Sequence, residues 1–115
     1  MSNYIRKMSG KQYAERIAKN PTVIIPTGAC EIYGPQLPMG SDLLAAQAIA
    51  ERVAERTGAV IAPAIECGES SALEAFPCTF ALPRKILEDY LEWLVGKLIR
   101  DGMKNFIFIT GHAGN

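Results

Sequence analysis

The sequence predicts an α/β fold of three layers (α/β/α), with helices on both sides of a mostly parallel sheet. Apolar, strand-like runs alternate with stretches of helical period in the order strand, helix, strand, helix, strand. The strands contain few polar positions, which is typical of strands buried on both faces. A helix between two strands makes parallel pairing the expected arrangement, and helices then cover the sheet.

The first predicted helix follows Ser9, a favourable N-cap residue, and runs to about Ala18. We expect Tyr13, Ala14 and Ile17 to lie on its inner face.

The first predicted strand is the β-branched run at 22–26, and the stiff loop GACEIYGPQLPMGSD follows at 28–42. Ser41 is the predicted N-cap of the second helix, and Asp42 its first residue, where a carboxylate suits the helix dipole. Gly58 is the predicted end of this helix. The residues expected on its inner face are Leu43, Ala46, Ile49, Ala50 and Val53.

The second predicted strand covers 59–63, and the irregular segment 64–82 predicts a long loop with room for a small hairpin. Pro83 suits the first turn of a third helix, which Gly102 ends. The third strand, NFIFIT at 105–110, is apolar on both faces. The third helix has apolar residues at helical spacing: Ile86, Leu87, Tyr90, Leu91, Leu94, Leu98 and Ile99.

The composition is that of one small globular domain. Among 115 residues, 12 basic side chains balance 12 acidic ones, so nothing favours a nucleic-acid partner. Neither an apolar signal segment nor a membrane-length apolar run is present, and we expect no membrane association. Three widely spaced cysteines without a C-x-x-C pair indicate a reduced, cytoplasmic protein.

Two loops leave the carboxyl ends of predicted strands with unusual content: the loop at 28–42 and GHAGN at 111–115. Ligand sites in parallel α/β sheets form outside these ends. If the first and third strands are neighbours, Glu31, Asp42 and His112 converge there. Two carboxylates and an imidazole are suitable ligands for Zn, Mn or Fe.

Each of these residues also has a simpler interpretation. Asp42 could serve only its helix dipole, Glu31 could be an exposed loop acid, and His112 could be a turn residue. Cys30 could be a nucleophile with His112 as its base, although a small buried thiol at a strand end is the more common role. The long loop carries three acids, Glu66, Glu69 and Glu74. They could face solvent, or one of them could reach the site as an acid or base.

The three segments GACEIYGPQLPMGSD, FPCTFAL and ITGHAGN, in this order and spacing, resemble the creatininase (creatinine amidohydrolase) family. The family pattern is roughly G-x-x-E-x-H-G-P-H-L-P-x-x-T/S-D, then F-P-G-T, then N-G-H-x-x-N. The resemblance covers about 22–115. It implies a creatininase-like three-layer fold, an oligomer that is often a hexamer, and a metal-dependent hydrolase acting on amide-type C–N bonds of small cyclic substrates.

The resemblance assigns Glu31, Asp42 and His112 as metal ligands, with Asp42 at the position of the metal-bridging aspartate. Zinc is the expected metal, with manganese and iron as alternatives.

The motif histidines are replaced by Tyr33 and Gln36, and Gly114 stands where creatininase proper has a glutamate ligand. One metal ion is therefore the expectation, with Tyr33 and Gln36 as catalytic hydrogen-bonding groups that line the pocket. The third departure is F-P-C-T, with Cys78 in place of glycine, which could alter how that loop approaches substrate.

The variant also suggests a substrate other than creatinine. One branch of the family cleaves a C–C bond in a cyclic diketone-type inositol derivative, and this sequence could belong to such a branch. The alternative to an enzyme is a non-catalytic structural or binding relative with a decayed metal site. We interpret 1–115 as a single creatininase-like domain that forms the N-terminal half of a longer family domain, or a truncated chain.

Overall fold

The computed structural model describes residues 2–115 and confirms the predicted order of elements. The helices are α1 (Gly10–Lys19), α2 (Ser41–Thr57) and α3 (Arg84–Asp101), and the strands are β1 (Thr22–Thr27), β2 (Val60–Ile61) and β3 (Asn105–Thr110). Short 3-10 turns lie at Ile5–Lys7 and Ser71–Leu73.

The three strands form one parallel sheet in the order β2-β1-β3. Val23 of β1 pairs with Val60 on one side and with Phe106 on the other. The pairing of β1 with β3 continues to Thr27 and Thr110, so both strands end at the same level. The loops that follow β1 and β3 therefore start side by side.

The predicted three layers are present. Val23 and Ile25 of β1 belong to an apolar cluster with Leu87, Leu94 and Leu98 of α3, against which Tyr13 and Ile17 of α1 also pack. Ile24 points to the opposite face and joins a second cluster with Ala50 and Ala54 of α2. All three β1 side chains are fully buried, because β1 is the central strand with helices on both faces.

Three of the five predicted helix boundary signals are confirmed, and Pro83 lies one residue before the predicted first turn, at the N-cap of α3. Ser9 forms a capping box with Gln12 at the start of α1, and Gly58 and Gly102 end α2 and α3 at φ 75° and 111°. The prediction for Ser41 is wrong by one residue. Gly40 is the N-cap of α2, because the Ser41 hydroxyl donates instead to the Pro38 carbonyl at 2.6 Å.

Several side chains predicted to face the core are exposed. Ile49 is 53% exposed, because the faces of α2 and α3 that contact the sheet are narrower than their apolar patterns. Along α3, Ile86, Tyr90 and Ile99 are exposed too, and Ala14 of α1 is exposed. Ile107 and Phe108 are also exposed, because β3 is an edge strand rather than a covered central one.

The second strand is shorter than predicted, with two residues. The segment 64–82 is a long loop, and the only regular element within its described residues is a 3-10 turn rather than a hairpin. Among residues 2–115, no helix has both the length and the apolar character needed to cross a lipid bilayer.

Candidate metal centre

The adjacency of β1 and β3 brings together the three side chains predicted as metal ligands. His112 Nδ1 lies 3.4 Å from Glu31 Oε1 and 3.2 Å from Asp42 Oδ2. One ligand atom from each residue lies within 4.8 Å of those of the other two. Glu31 and Asp42 are buried, at 6% and 7% exposure, and His112 is half-buried. The alternative of an exposed Glu31 is therefore wrong.

Asp42 is held by both its carboxylate oxygens. Oδ1 accepts a hydrogen bond from the Ala29 backbone N–H at 2.8 Å, and Oδ2 accepts one from the Tyr33 hydroxyl at 2.7 Å. The carboxylate makes no capping hydrogen bond to the amides that begin α2. It faces the loop after β1, so Asp42 does more than balance its helix dipole.

Close backbone approach at Gly111 brings the loop after β3 onto the start of α2. A Cβ atom at Gly111 would overlap the backbone carbonyl of Asp42. The Gly111 N–H donates to the Thr27 carbonyl at 3.0 Å, which fixes the turn against the end of β1. A residue with a side chain at this position would push His112 away from Asp42.

The loop that carries Glu31 is held from two sides. The Glu31 N–H donates to the Met39 carbonyl at 3.0 Å, which closes the loop on itself. The Ile32 N–H donates to Thr79 Oγ1 at 3.3 Å, so the F-P-C-T segment contacts the backbone next to Glu31. Thr79 therefore helps to hold the loop that carries Glu31. The motif marked this residue, but the sequence did not show which group it contacts.

The second ring nitrogen of His112 faces a backbone acceptor. Nε2 lies 2.6 Å from the backbone carbonyl oxygen of Glu69, an acceptor, so Nε2 carries the proton. In the neutral ring, Nδ1 then presents its lone pair toward the two carboxylates. Histidines that bind metals commonly donate their other N–H to such a carbonyl or carboxylate.

The chemistry of the donor set and two of its three ligand-atom separations suit a divalent cation. Tetrahedral zinc with bonds of about 2.1 Å requires ligand atoms about 3.4 Å apart, and the two imidazole–carboxylate separations are 3.4 and 3.2 Å. Charge-assisted hydrogen bonds are shorter, at about 2.7–2.9 Å. Within the described chain, no lysine or arginine pairs with Glu31 or Asp42. A cation between the three side chains would compensate both buried charges.

The two predicted catalytic groups differ in placement. Tyr33 is half-buried and bound to Asp42, and burial followed by this hydrogen bond raises the pKa of the Tyr33 hydroxyl well above its usual range. Tyr33 therefore stays a protonated donor at neutral pH. Gln36 is exposed on the loop and makes no hydrogen bond to the three ligand side chains in the part of the chain that the structure describes.

The side chains of the other predicted candidates, one cysteine and three glutamates, form no hydrogen bond or ion pair with the three ligand side chains. Both ring nitrogens of His112 face oxygen atoms, so neither is arranged as a base for Cys30. Burial raises the pKa of the Cys30 thiol, which disfavours a nucleophilic thiolate. The Glu69 carboxylate accepts from the Ser71 N–H at 3.1 Å, and it is the Glu69 backbone that reaches His112. Glu66 and Glu74 are exposed.

The fold and the site together define an α/β protein with a candidate cation site at the carboxyl ends of neighbouring parallel strands. The sequence profile of the creatininase family, described as creatinine amidohydrolase, matches residues 6–115. The chain belongs to the creatininase family, and the resemblance drawn from its three motifs is confirmed.

Similar proteins carry several activities. The chain is 30% identical to a creatinine amidohydrolase of Pseudomonas putida over 99% of its own length and 46% of the relative. It is 35% identical to a mycofactocin precursor peptide peptidase of Mycolicibacterium smegmatis over 83% of this chain and 40% of that one. A 3-dehydro-scyllo-inosose hydrolase of Thermotoga maritima is 31% identical over 96% of this chain and 36% of the relative. The chain thus spans less than half the length of these relatives.

Solved structures show the same fold. A mutant creatininase of the Zn-Zn type superimposes with a TM-score of 0.93 at 29% identity, over 100% of this chain and 47% of that one. A creatininase with Mn has a TM-score of 0.91 at 29% identity, over 97% of this chain and 46% of that one. The likeness confirms the predicted three-layer α/β/α class, and these neighbours contain metal.

Proposed function

We propose that this chain provides the metal-binding part of a metal-dependent hydrolase that acts at a carbonyl carbon of a small cyclic substrate. The observation that carries the proposal is the meeting of Glu31, Asp42 and His112 at the end of β1 and β3. The two buried carboxylates have His112 but no lysine or arginine as a partner in the described chain, and a divalent cation would supply the counter-charge. Zinc is the preferred ion, with manganese or iron as alternatives.

Each ligand residue has a defined task in this proposal. Glu31 and Asp42 supply negative oxygen donors, and His112 supplies Nδ1 while its Nε2–H donates to the Glu69 carbonyl. When bound, the ion would polarise a substrate carbonyl and make a water molecule more acidic. Tyr33 donates to Asp42 and fixes its orientation. Gln36, exposed on the same loop, offers an amide for hydrogen bonds to substrate.

We propose a single ion rather than a pair. Tyr33 stands where, by the resemblance, the family has a histidine ligand of the second ion, and its hydroxyl donates to Asp42 instead. A Cβ at Gly114 would lie 2.6 Å from the Glu69 carbonyl oxygen and 2.9 Å from His112 Nε2. A glutamate ligand could therefore not take this position without moving His112, and the second site lacks two of its donors.

The substrate class follows the relatives and stays a proposal. Relatives are named for creatinine, for a precursor peptide and for 3-dehydro-scyllo-inosose, a cyclic sugar derivative. For this chain we propose attack at a carbonyl carbon, which suits one polarising ion. An amide-type C–N bond is the first expectation, and a C–C bond of a cyclic ketone is the second.

The test is hydrolysis by purified, zinc-loaded protein of creatinine, the inosose and the precursor peptide. We expect turnover of creatinine or of the inosose, lost on addition of a chelator and in His112→Ala, whereas turnover of the peptide alone would contradict a small cyclic substrate. A matched control is Asn105→Ala, at the opposite end of β3, which should keep the parent rate. Turnover that survives both chelator and His112→Ala would contradict the proposal.

A non-catalytic binding relative is the second candidate, and the Tyr33–Asp42 hydrogen bond favours it. This bond of 2.7 Å uses an oxygen that a catalytic ion would otherwise have to share. Zinc binding without turnover of any of the three compounds, also in Tyr33→His, would support this candidate over the enzyme.

We also propose that the chain, as a single domain, works as a homo-oligomer, with a hexamer as the form that the resemblance implies. Its support is exposed apolar surface: Trp93 is 58% exposed, and Ile107 and Phe108 lie exposed on the edge strand β3. Light scattering after size-exclusion chromatography tests this, and a monomer at micromolar concentration would contradict it. The cytoplasmic location stays a prediction, and the three cysteines are unbridged in the structure.

A further inference from the structure

Asn115 connects three segments that surround the candidate metal centre. Its Nδ2 donates to the Gly28 carbonyl at 2.9 Å, directly after β1. Its Oδ1 accepts from the Glu69 N–H at 2.9 Å, in the long loop. Its own backbone N–H donates to the His112 carbonyl at 3.3 Å. One side chain and one amide thus link the loops after β1 and β3 to the segment 64–82.

The packing around this link is tight on the side of the long loop. A Cβ at Gly68 would overlap Asn115 Oδ1 and lie 2.5 Å from the Gly28 carbonyl oxygen. Glycine at this position allows the loop to come close enough for both hydrogen bonds of the Asn115 side chain. Gly68 is buried and Asn115 is exposed, so the link lies where the long loop meets the surface of the molecule.

The link reaches His112 through Glu69. Asn115 holds the backbone N–H of Glu69, and the carbonyl of the same residue accepts the Nε2–H of His112 at 2.6 Å. If Glu69 shifts, the imidazole loses the acceptor that fixes its tautomer and its rotation. Nδ1 would then no longer be directed at Glu31 and Asp42.

We propose that Asn115 is a positioning residue for the metal centre: through the Glu69 backbone it holds His112 as the Nε2–H tautomer, with Nδ1 free for a cation. Asn115 touches none of the three ligand atoms, so it acts only through Glu69 and the turn. The expected effect on metal affinity rests on the proposed function. The hydrogen bond from His112 to the Glu69 carbonyl can be measured without metal.

The chain offers an unusually direct readout, because His112 is its only histidine. A ¹H–¹⁵N correlation spectrum of the imidazole region therefore contains signals from His112 alone, and no residue assignment is needed. In the metal-free parent we expect a visible Nε2–H signal, protected from exchange with water by the Glu69 carbonyl. In Asn115→Ala we expect this signal to broaden or disappear. Asn105→Ala, which loses a hydrogen bond to Thr22 at the far end of β3, should keep it.

Zinc affinity is the second measurement. Loss of an outer-shell partner commonly weakens metal binding about 10–100-fold, and we expect a rise of this size in the zinc Kd of Asn115→Ala. Asn105→Ala should leave the Kd unchanged. Asn115→Asp keeps the acceptor for the Glu69 N–H and should restore the Nε2–H signal at least in part. This second variant also covers the case in which Asn115→Ala does not fold.

The outcomes separate this inference from the proposed function. A protected Nε2–H in the parent that is lost in Asn115→Ala supports the positioning role even if zinc does not bind, in which case the metal site itself is refuted. A parent Nε2–H that exchanges freely overturns the positioning role. The positioning role is also overturned if folded Asn115→Ala keeps both the Nε2–H signal and the zinc Kd of the parent.

Discussion

Replacement of Asp42 by asparagine should separate metal binding from folding. The ligand atoms of Glu31 and Asp42 lie within 4.8 Å of each other. Two unit charges at that distance repel by about 3.5 kcal/mol at an effective dielectric constant of about 20. In Asp42→Asn this repulsion is removed when no metal is bound. The new amide can also donate to Nδ1 of His112, 3.2 Å from Oδ2 in the parent.

The substitution also has a cost. Asp42 accepts hydrogen bonds from the Ala29 N–H and the Tyr33 hydroxyl. With the amide NH2 in the place of Oδ2, the bond from Ala29 becomes a neutral one and the Tyr33 hydroxyl must turn to accept. Hydrogen bonds to a charged acceptor contribute about 1.5–3 kcal/mol and neutral ones about 1 kcal/mol, so the two changes cost about 1–4 kcal/mol together. Gain and cost are similar, and the metal-free variant should unfold with a free energy close to that of the parent.

Urea unfolding with chelator and with zinc measures both effects. Zinc at about 100 times its Kd should stabilise the parent by about 2.7 kcal/mol and Asp42→Asn by much less. Asp89→Asn is the matched control, since this exposed carboxylate pairs only with Lys85 in the described chain. It should keep the zinc effect. A variant at Asp42 that is several kcal/mol less stable without metal, yet keeps the full zinc shift, would refute the reasoning.

Three further substitutions test the scaffold, each by urea unfolding. Gly111→Ala should cost about 1–3 kcal/mol, because its Cβ overlaps a carbonyl in α2, and zinc binding should weaken with it. Leu98→Ala, 3% exposed, should cost about 2–5 kcal/mol without changing the zinc Kd; a cost below 1 kcal/mol would contradict its core placement. The pKa of Asp101 is lowered by hydrogen bonds from Lys97 and from Tyr13, so its stabilisation is complete above the unfolded pKa of about 3.9 and is lost as pH falls through the folded pKa. Tyr13→Phe should therefore cost about 1 kcal/mol at neutral pH, and a cost that does not shrink below about pH 4 would contradict this.

The fold was largely predictable because its signals are local. The β-branched run of β1 and the glycines at 58 and 102 act within a few residues, and the structure places them as expected. Exposure was harder to predict. Ile49 and Phe108 are apolar but exposed, because period and hydropathy do not tell a central strand from an edge strand or a wide helix face from a narrow one.

The candidate site was predicted from one assumption, that β1 and β3 are neighbours, which the sheet order confirms. The convergence of Glu31, Asp42 and His112 follows from it. Most of the supporting contacts were not predictable, because one partner in each is a backbone atom. The Glu69 carbonyl that orients His112 has no side-chain signature in the sequence.

Zinc titration of the metal-free protein by calorimetry, with metal analysis of the loaded protein, tests the central claim most directly. One ion per chain should bind to the parent, and binding should be lost in His112→Ala while the variant stays folded. Zinc well below one ion per chain, with an affinity that His112→Ala leaves unchanged, would contradict a metal centre built from these three side chains.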